Sequence, residues 1–316
     1  MVISTSDDVR PGRADVGASA SQVTARRRGD ALAAFALAGP AIVLLLILFI
    51  LPVAAIIVIA LTDWQFGTRS LHFVGLANFA GIWADEAFVA SLRNTLVYAS
   101  IVIPGTVLGG LGIALLIESG NSLRNFYRAI HFLPFMATLA AMAIVWEALL
   151  HPTIGLVNGT FAAVGLPTAN WLREEATVLP VLALIGIWQN LGFAMVLFLA
   201  GLKSIPQDLY DAADIDGADR WLDRLMTVTL PMLGPVAMFV VIVVALRAFE
   251  VFDTVQILTQ GGPGHASDVL LHTLYRESFE FLRAGYGAAM TVVFLVIAVT
   301  LTLIQARLIG NKVHYQ

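Results

Sequence analysis

The chain alternates between long apolar stretches and short polar connections. A helix that crosses a bilayer needs about 20 mostly apolar residues, and six runs of that kind occur, at 31–62, 94–117, 129–150, 176–202, 225–246 and 284–306. The first lies between Asp30 and Asp63 and, at roughly 1.5 Å per residue, exceeds the hydrocarbon thickness. It is expected to tilt, to bend at Pro40 or Pro52, or to project from the membrane. The second holds Gly105-Thr-Val-Leu-Gly109, a small-residue face on which two helices approach closely. The fifth carries Pro231 and Pro235 near its start. Arg26, Arg27 and Arg28 precede the first run as in a secretion signal, but the apolar part of a signal is only about 7–15 residues. The run therefore reads as a retained anchor.

Composition agrees with lipid as the solvent. Of 316 residues 59% are hydrophobic and 13% charged, against roughly 45–50% and about 25% in a soluble domain. There is no cysteine, which removes disulfides, thiolate metal sites and cysteine nucleophiles. With only Lys203 and Lys312 as lysines and a net charge of −4, no basic nucleic-acid footprint exists. Arg69, Arg93, Arg173, Arg247, Arg276 and Arg283 fall on one side of a six-span threading. The remaining Lys and Arg, 18 − 6 = 12, fall on the other. By the positive-inside rule both termini are expected in the cytoplasm. The fold class is all-α, a polytopic membrane protein with a disordered cytoplasmic tail at 1–30 and one transmembrane domain at 31–316.

The segment 203–224, between the fourth and fifth runs, has a shape written into it. Pro206 ends one helix, Gln207 to Ile215 spells a second of two to three turns, and Gly217 supplies a turn. Ala212 and Ala213 leave one face almost without bulk. Asp208, Asp211, Asp214, Asp216, Asp219 and Asp223 make the loop acidic on the side that otherwise gathers cations. A solvated helix-turn is the plain reading of such a charge run; a docking surface for another protein is the functional one.

Here the chain resembles the membrane subunits of bacterial ATP-binding-cassette importers, the carbohydrate-uptake permeases of type I fold. Their signature is similar to Asp211-Ala212-Ala213, Asp216-Gly217-Ala218 and Val228-Thr229-Leu230-Pro231. Phe73-Val-Gly-Leu-Ala-Asn-Phe79, His151-Pro152 with Gly155-Leu156-Val157-Asn158, Leu199 to Pro206 and Thr259-Gln-Gly-Gly-Pro263 are similar to family segments at the same places. Two departures stand out: Asp211 replaces a glutamate, and the interval from Gly217 to Pro231 is one residue longer than usual. The resemblance implies a non-catalytic permease subunit in the inner membrane. Its partners are a second permease, two ATPase copies that bind ATP and Mg, and an external solute-binding protein. It also implies that Asp211 to Ala218 dock on the ATPase. The chain has no motor of its own, since Lys203-Ser204 lacks the glycine-rich lead of a phosphate loop.

Polar side chains at mid-span mark either helix contacts or a watered cavity. Trp188, Gln189 and Asn190 occupy the middle of the fourth run, with Phe193 one turn on. Carboxamides serve hydroxyls and an aromatic face packs on a sugar ring, so these residues suit a polyol pathway, although bonds to neighbouring helices explain them equally. Arg247, Glu250 and Asp253, with Phe249, stand at the outer end of the fifth run, as an Arg247–Glu250 ion pair or as a pathway mouth. Glu147 is expected at the membrane interface. Residues 268–282 read as an amphipathic helix outside the bilayer, and His265 and His272 as loop and surface histidines rather than metal ligands. An ion-coupled secondary transporter is the alternative, but it calls for ionisable groups deep in the spans, and none is expected near a midpoint. The ending Lys312 to Gln316 is similar to glycerol-3-phosphate permeases. The solute classes are thus sugars, sugar–glycerol conjugates and glycerol phosphates.

Overall fold

The computed structural model describes residues 36–120 and 123–310. The expected tail at 1–30 and the ending Lys312 to Gln316 lie outside the described residues. The chain divides into two units, Met1–Val58 and Ile59–Gln316. In the first, the described residues belong to helix α1 (Ala36–Ala60), whose apolar side chains are exposed nearly throughout. That surface suits lipid and not water.

A wide π-turn at Leu46–Ile50, closed by the Leu51 N–H on the Leu46 carbonyl, comes just before Pro52. Proline has no N–H to donate and its ring crowds the carbonyl four residues back, so a wider turn relieves the clash. The device recurs at Leu225–Thr229, just before Pro231.

The second unit is helical: α2 (Ala77–Ala84), α3 (Glu86–Ser119), α4 (Arg124–Met136), α5 (Leu139–Leu149), α6 (Leu156–Ala163), α7 (Glu175–Lys203) and α8 (Gln207–Ile215). Then follow α9 (Trp221–Arg224), α10 (Leu230–Phe249), α11 (Asp253–Leu258), α12 (Leu270–Tyr275) and α13 (Ala284–Gly310). Among the described residues five helical runs are long and apolar enough to cross a membrane, and six if α4 with α5 is one broken span.

The centre is the parallel pair α3 and α7. Tyr98, Val102, Thr106, Gly110 and Ala114 are buried at every fourth position of α3, a single helix face. A Cβ at Gly105 would stand 2.5 Å from Ile187 Cδ1, one at Gly109 3.0 Å from Leu191 Cδ1, and one at Gly110 2.6 Å from Ala194 Cβ. The small-residue face read from the sequence therefore packs on α7 as expected. Asp85 caps the start of α3 by accepting from the Ala87 N–H at 2.9 Å, which lets the helix begin well before the apolar run at 94.

Two expectations need correction. The third run is not one straight span: α4 and α5 meet at 101°, with Ala137 and Thr138 extended between them. Pro134 deprives the Ile130 carbonyl of a donor one turn earlier. The helix at 268–282 begins at Leu270 and passes into a π-turn at Arg276–Glu280. It does not lie free on a surface: Leu270, His272, Thr273, Leu274 and Glu277 are buried, and α12 packs on α3 and α13.

Candidate permease sites

Polar side chains fix the two ends of the bundle. At one end Ser119, Lys203 and the elbow 203–224 gather around a cleft of about 610 Å³, lined also by Tyr210, Trp221 and Arg224. At the other, Asn94 donates through Nδ2 to the carbonyls of His265 and Asp268, both at 2.9 Å. The Leu270 N–H donates to Thr95 Oγ1 at 2.8 Å.

The elbow is a built structure. Helix α8 ends with the Ala218 N–H on the Ala213 carbonyl at 2.9 Å and the Gly217 N–H on the Asp214 carbonyl at 3.2 Å. This is the paired C-terminal closure that needs a left-handed residue, and Gly217 has φ +92°. Ala218 and Ala213 are the residues this closure brings into apolar contact; the first is buried and the second half-buried against the core. Two links fasten α8 to the start of the fifth span. Tyr210 OH lies 3.1 Å from Thr229 Oγ1, and Arg224 Nε lies 2.7 Å from Asp214 Oδ1. Asp211, Ala212, Asp216 and Gly217 are exposed, with Asp211 accepting from Gln207 Nε2 at 3.3 Å. Leu209, Ile215, Trp221, Leu222 and Met226 surround them and are exposed too. The acid at 214 is thus used within the elbow, while that at 211 faces outward.

The mid-span set comes together through the broken third run. A Cβ at Gly192 would stand 2.0 Å from the His131 carbonyl oxygen, so only glycine lets α4 cross α7 this closely. The crossing sets Phe135 on Phe193, centroids 5.1 Å apart and 19° from parallel. The Arg247 guanidinium lies 4.7 Å from the Phe135 ring centre and 5.6 Å from that of Phe193. Beyond the break, Trp146 of α5 meets Trp188 edge to face at 5.3 Å.

Asn190 donates to the Gly186 carbonyl of its own helix at 2.9 Å. Gln189 is half-buried and forms no side-chain bond among the described residues. Neither carboxamide therefore ties a neighbouring helix there. Glu250 and Asp253 are exposed and stay out of the cluster. The expected Arg247–Glu250 ion pair is absent among the described residues, because the guanidinium turns to the two aromatic rings instead. Arg247 stands in the last turn of α10, and its guanidinium reaches Phe193, one turn from the middle of α7. Glu147 is exposed beside His151, Asn170 and Arg173.

The sequence reading missed Phe135, Trp146, Tyr210 and Arg224. Pro134 inside an apolar run was the available signal for the first two.

His272 requires a further correction. It is buried, with Nδ1 2.6 Å from Asp268 Oδ1, and His265 Nδ1 lies 2.5 Å from Oδ2 of the same carboxylate. Arg276 stands 3.6 Å away. Burial pushes the Asp268 carboxyl up, but the bonds from the two histidines outweigh it and hold it below its ordinary value. Among the described residues no group of three or more His, Asp or Glu has a metal-binding arrangement.

Residues 105–313 match the family model described as "Binding-protein-dependent transport system inner membrane component". The chain belongs to this family. The permease is 31% identical over 287 residues to the sn-glycerol-3-phosphate transport system permease protein UgpA of Agrobacterium fabrum, covering 89% of this chain and 96% of that one. It is 30% identical over 286 residues to the sulfoquinovosyl glycerol transport system permease protein SmoG of the same organism, covering 90% and 92%. Its fold matches a chain of a bacterial ABC transporter involved in the import of the acidic polysaccharide alginate, with TM-score 0.78 and 24% identity over 92% of this chain and 99% of that one. The permease is a multi-pass, non-catalytic component of an ABC importer.

Proposed function

We propose that this permease forms half of the solute pathway of an ATP-driven importer in the bacterial inner membrane and that its elbow receives the motor. The carrying observation is the elbow. A locked closure at Gly217 and two side-chain fasteners hold α8 rigid on the fifth span. Meanwhile Asp211, Ala212 and five large apolar side chains stay exposed around it. A rigid lever with an uncovered apolar rim fits a partner surface, and exposed apolar clusters mark such contacts. Asp211 to Ala213 and Asp216 to Ala218 are the docking segment for one of two ATPase copies, which bind ATP and Mg. By the positive-inside rule this end lies in the cytoplasm with both termini. The opposite end meets the solute-binding protein, and a second permease completes the pore.

Trp188, Gln189, Asn190, Phe193 and Arg247 face the passage, with Glu250 and Asp253 towards its outer mouth. The solute belongs with those of the relatives: a sugar, a sugar–glycerol conjugate or a glycerol phosphate.

Because the chain has no cysteine, Ala212→Cys gives a single cross-linking site. In membranes holding the whole importer it is expected to capture the nucleotide-hydrolysing subunit. Recovery of no such subunit would remove the docking role. Uptake should stop on ATP depletion and persist with an uncoupler; the reverse pattern favours an ion-coupled secondary transporter.

A further inference from the structure

Arg247 is the one feature of the mid-span set that a neutral polyol does not call for. It is exposed on α10. Among the described residues no carboxylate lies within ion-pair distance of it. A guanidinium facing hydrocarbon is costly, and within a span it is kept only for a partner or a watered cavity. Such a residue persists where it faces protein or water.

Its geometry goes further. The central guanidinium carbon lies 4.7 Å from the Phe135 ring centre and 5.6 Å from that of Phe193, so cation–π attraction holds it in place. A planar guanidinium carries its N–H donors at its edges, where a bidentate acceptor meets them. Glu250, one turn outward, and Asp253 are exposed and do not neutralise it. Trp188, on the same helix as Phe193, is 37% exposed and offers apolar surface to a sugar or glycerol carbon skeleton.

We propose that Arg247, held by the Phe135–Phe193 stack, receives an anionic substituent, a carboxylate, phosphate or sulfonate, carried by an otherwise hydroxylated solute. The pathway thereby selects acidic polyols over their neutral counterparts. This inference rests on the pathway reading above and narrows its solute class.

The test uses the complete importer in proteoliposomes and three matched pairs. These are glycerol 3-phosphate with glycerol, a glucuronate-containing disaccharide with its glucose counterpart, and sulfoquinovosyl glycerol with glucosylglycerol. The pair is chosen by which compounds the solute-binding protein retains. An acidic member is expected to be retained and imported. Arg247→Gln should lower its uptake kcat/KM roughly 10- to 100-fold, with Arg247→Lys intermediate because an ammonium keeps the charge without the fork.

Retention of neutral compounds alone overturns the inference. So does an acidic solute whose uptake per assembled complex is the same in both variants, even where the yield of complex falls, since Arg247 then serves only assembly. Import of the acidic probe that depends on Arg247 but not on ATP would overturn the coupling proposal and leave this one standing. ATP-driven import confined to neutral members would do the opposite.

Discussion

Gly217 concentrates the mechanics of the elbow in one backbone angle. At φ +92° a side chain with a Cβ costs about 1–2 kcal/mol, and a β-branched one more, because its two γ atoms crowd the same turn. Nothing lies within 4 Å of a Cβ built there, so the penalty is local and the spans are expected to insert normally. In Gly217→Val the closure onto Ala213 and Asp214 opens and the lever loosens. ATP hydrolysis should continue while uptake falls, whereas Gly217→Asn, which tolerates left-handed backbone, should retain most of both. Uptake and solute-stimulated hydrolysis unchanged in the valine variant would show that the elbow transmits nothing. At the opposite end Asp268 makes a pH statement. Its carboxyl ionises more readily folded than unfolded. Its contribution is therefore complete above the ordinary value of 3.8 and is lost as pH falls through that value towards the lower folded one. The difference in hydrogen-exchange protection of 259–283 between the native permease and Asp268→Asn should shrink below about pH 4. A difference that is constant from pH 6 to pH 3 would remove Asp268 as its source.

At the scale of elements, the broken third span depends on how closely α4 crosses α7. Gly192→Leu places a side chain where the His131 carbonyl and Phe132 Cα already stand. Overpacking of this kind costs typically about 1–3 kcal/mol. The Phe135–Phe193 stack should separate, and a disulfide between cysteines placed at 135 and 193, expected to form in the otherwise unaltered, cysteine-free chain, should be lost. Efficient cross-linking in the Gly192→Leu background would mean that the close crossing survives by another route. Five of the apolar runs were legible because hydropathy alone specifies a lipid-crossing helix. The third was not, because its break lies inside an apolar run, where composition is silent and only Pro134 gives notice. Even the π-turns before Pro52 and Pro231 follow a local rule that can be read from the chain. The stacking of Phe135 on Phe193 depends on a crossing between elements more than fifty residues apart, and no periodicity records it.

For the whole molecule, the segments that carried the family resemblance turn out to be ties between elements. Asn78 donates to the carbonyls of Ala60 and Thr62 at 2.9 and 2.8 Å. Asn158 donates to Pro152 and Ala169 and accepts from Trp171 Nε1 at 2.7 Å. Gly217 closes the elbow, and Thr259 accepts from Ser267 Oγ at 2.8 Å. Such residues bond to other parts of the fold, which is why the sequence disclosed the architecture well and the cargo poorly. Orientation is the remaining global property. Cations twice as numerous on one side of the threading are the ground for the proposed cytoplasmic placement of the elbow, yet the elbow itself is acidic, so the charge rule is opposed at the segment that matters most. Ser70 and Ala212 are both exposed and belong to opposite sides in this threading. In intact cells a membrane-impermeant thiol reagent should label Ser70→Cys and spare Ala212→Cys until the membrane is permeabilised. Labelling of Ala212→Cys alone would invert the molecule and place the elbow out of reach of any cytoplasmic ATPase. Labelling of neither before permeabilisation and both after it would mean that the two segments share a side, which contradicts an odd number of spans between them.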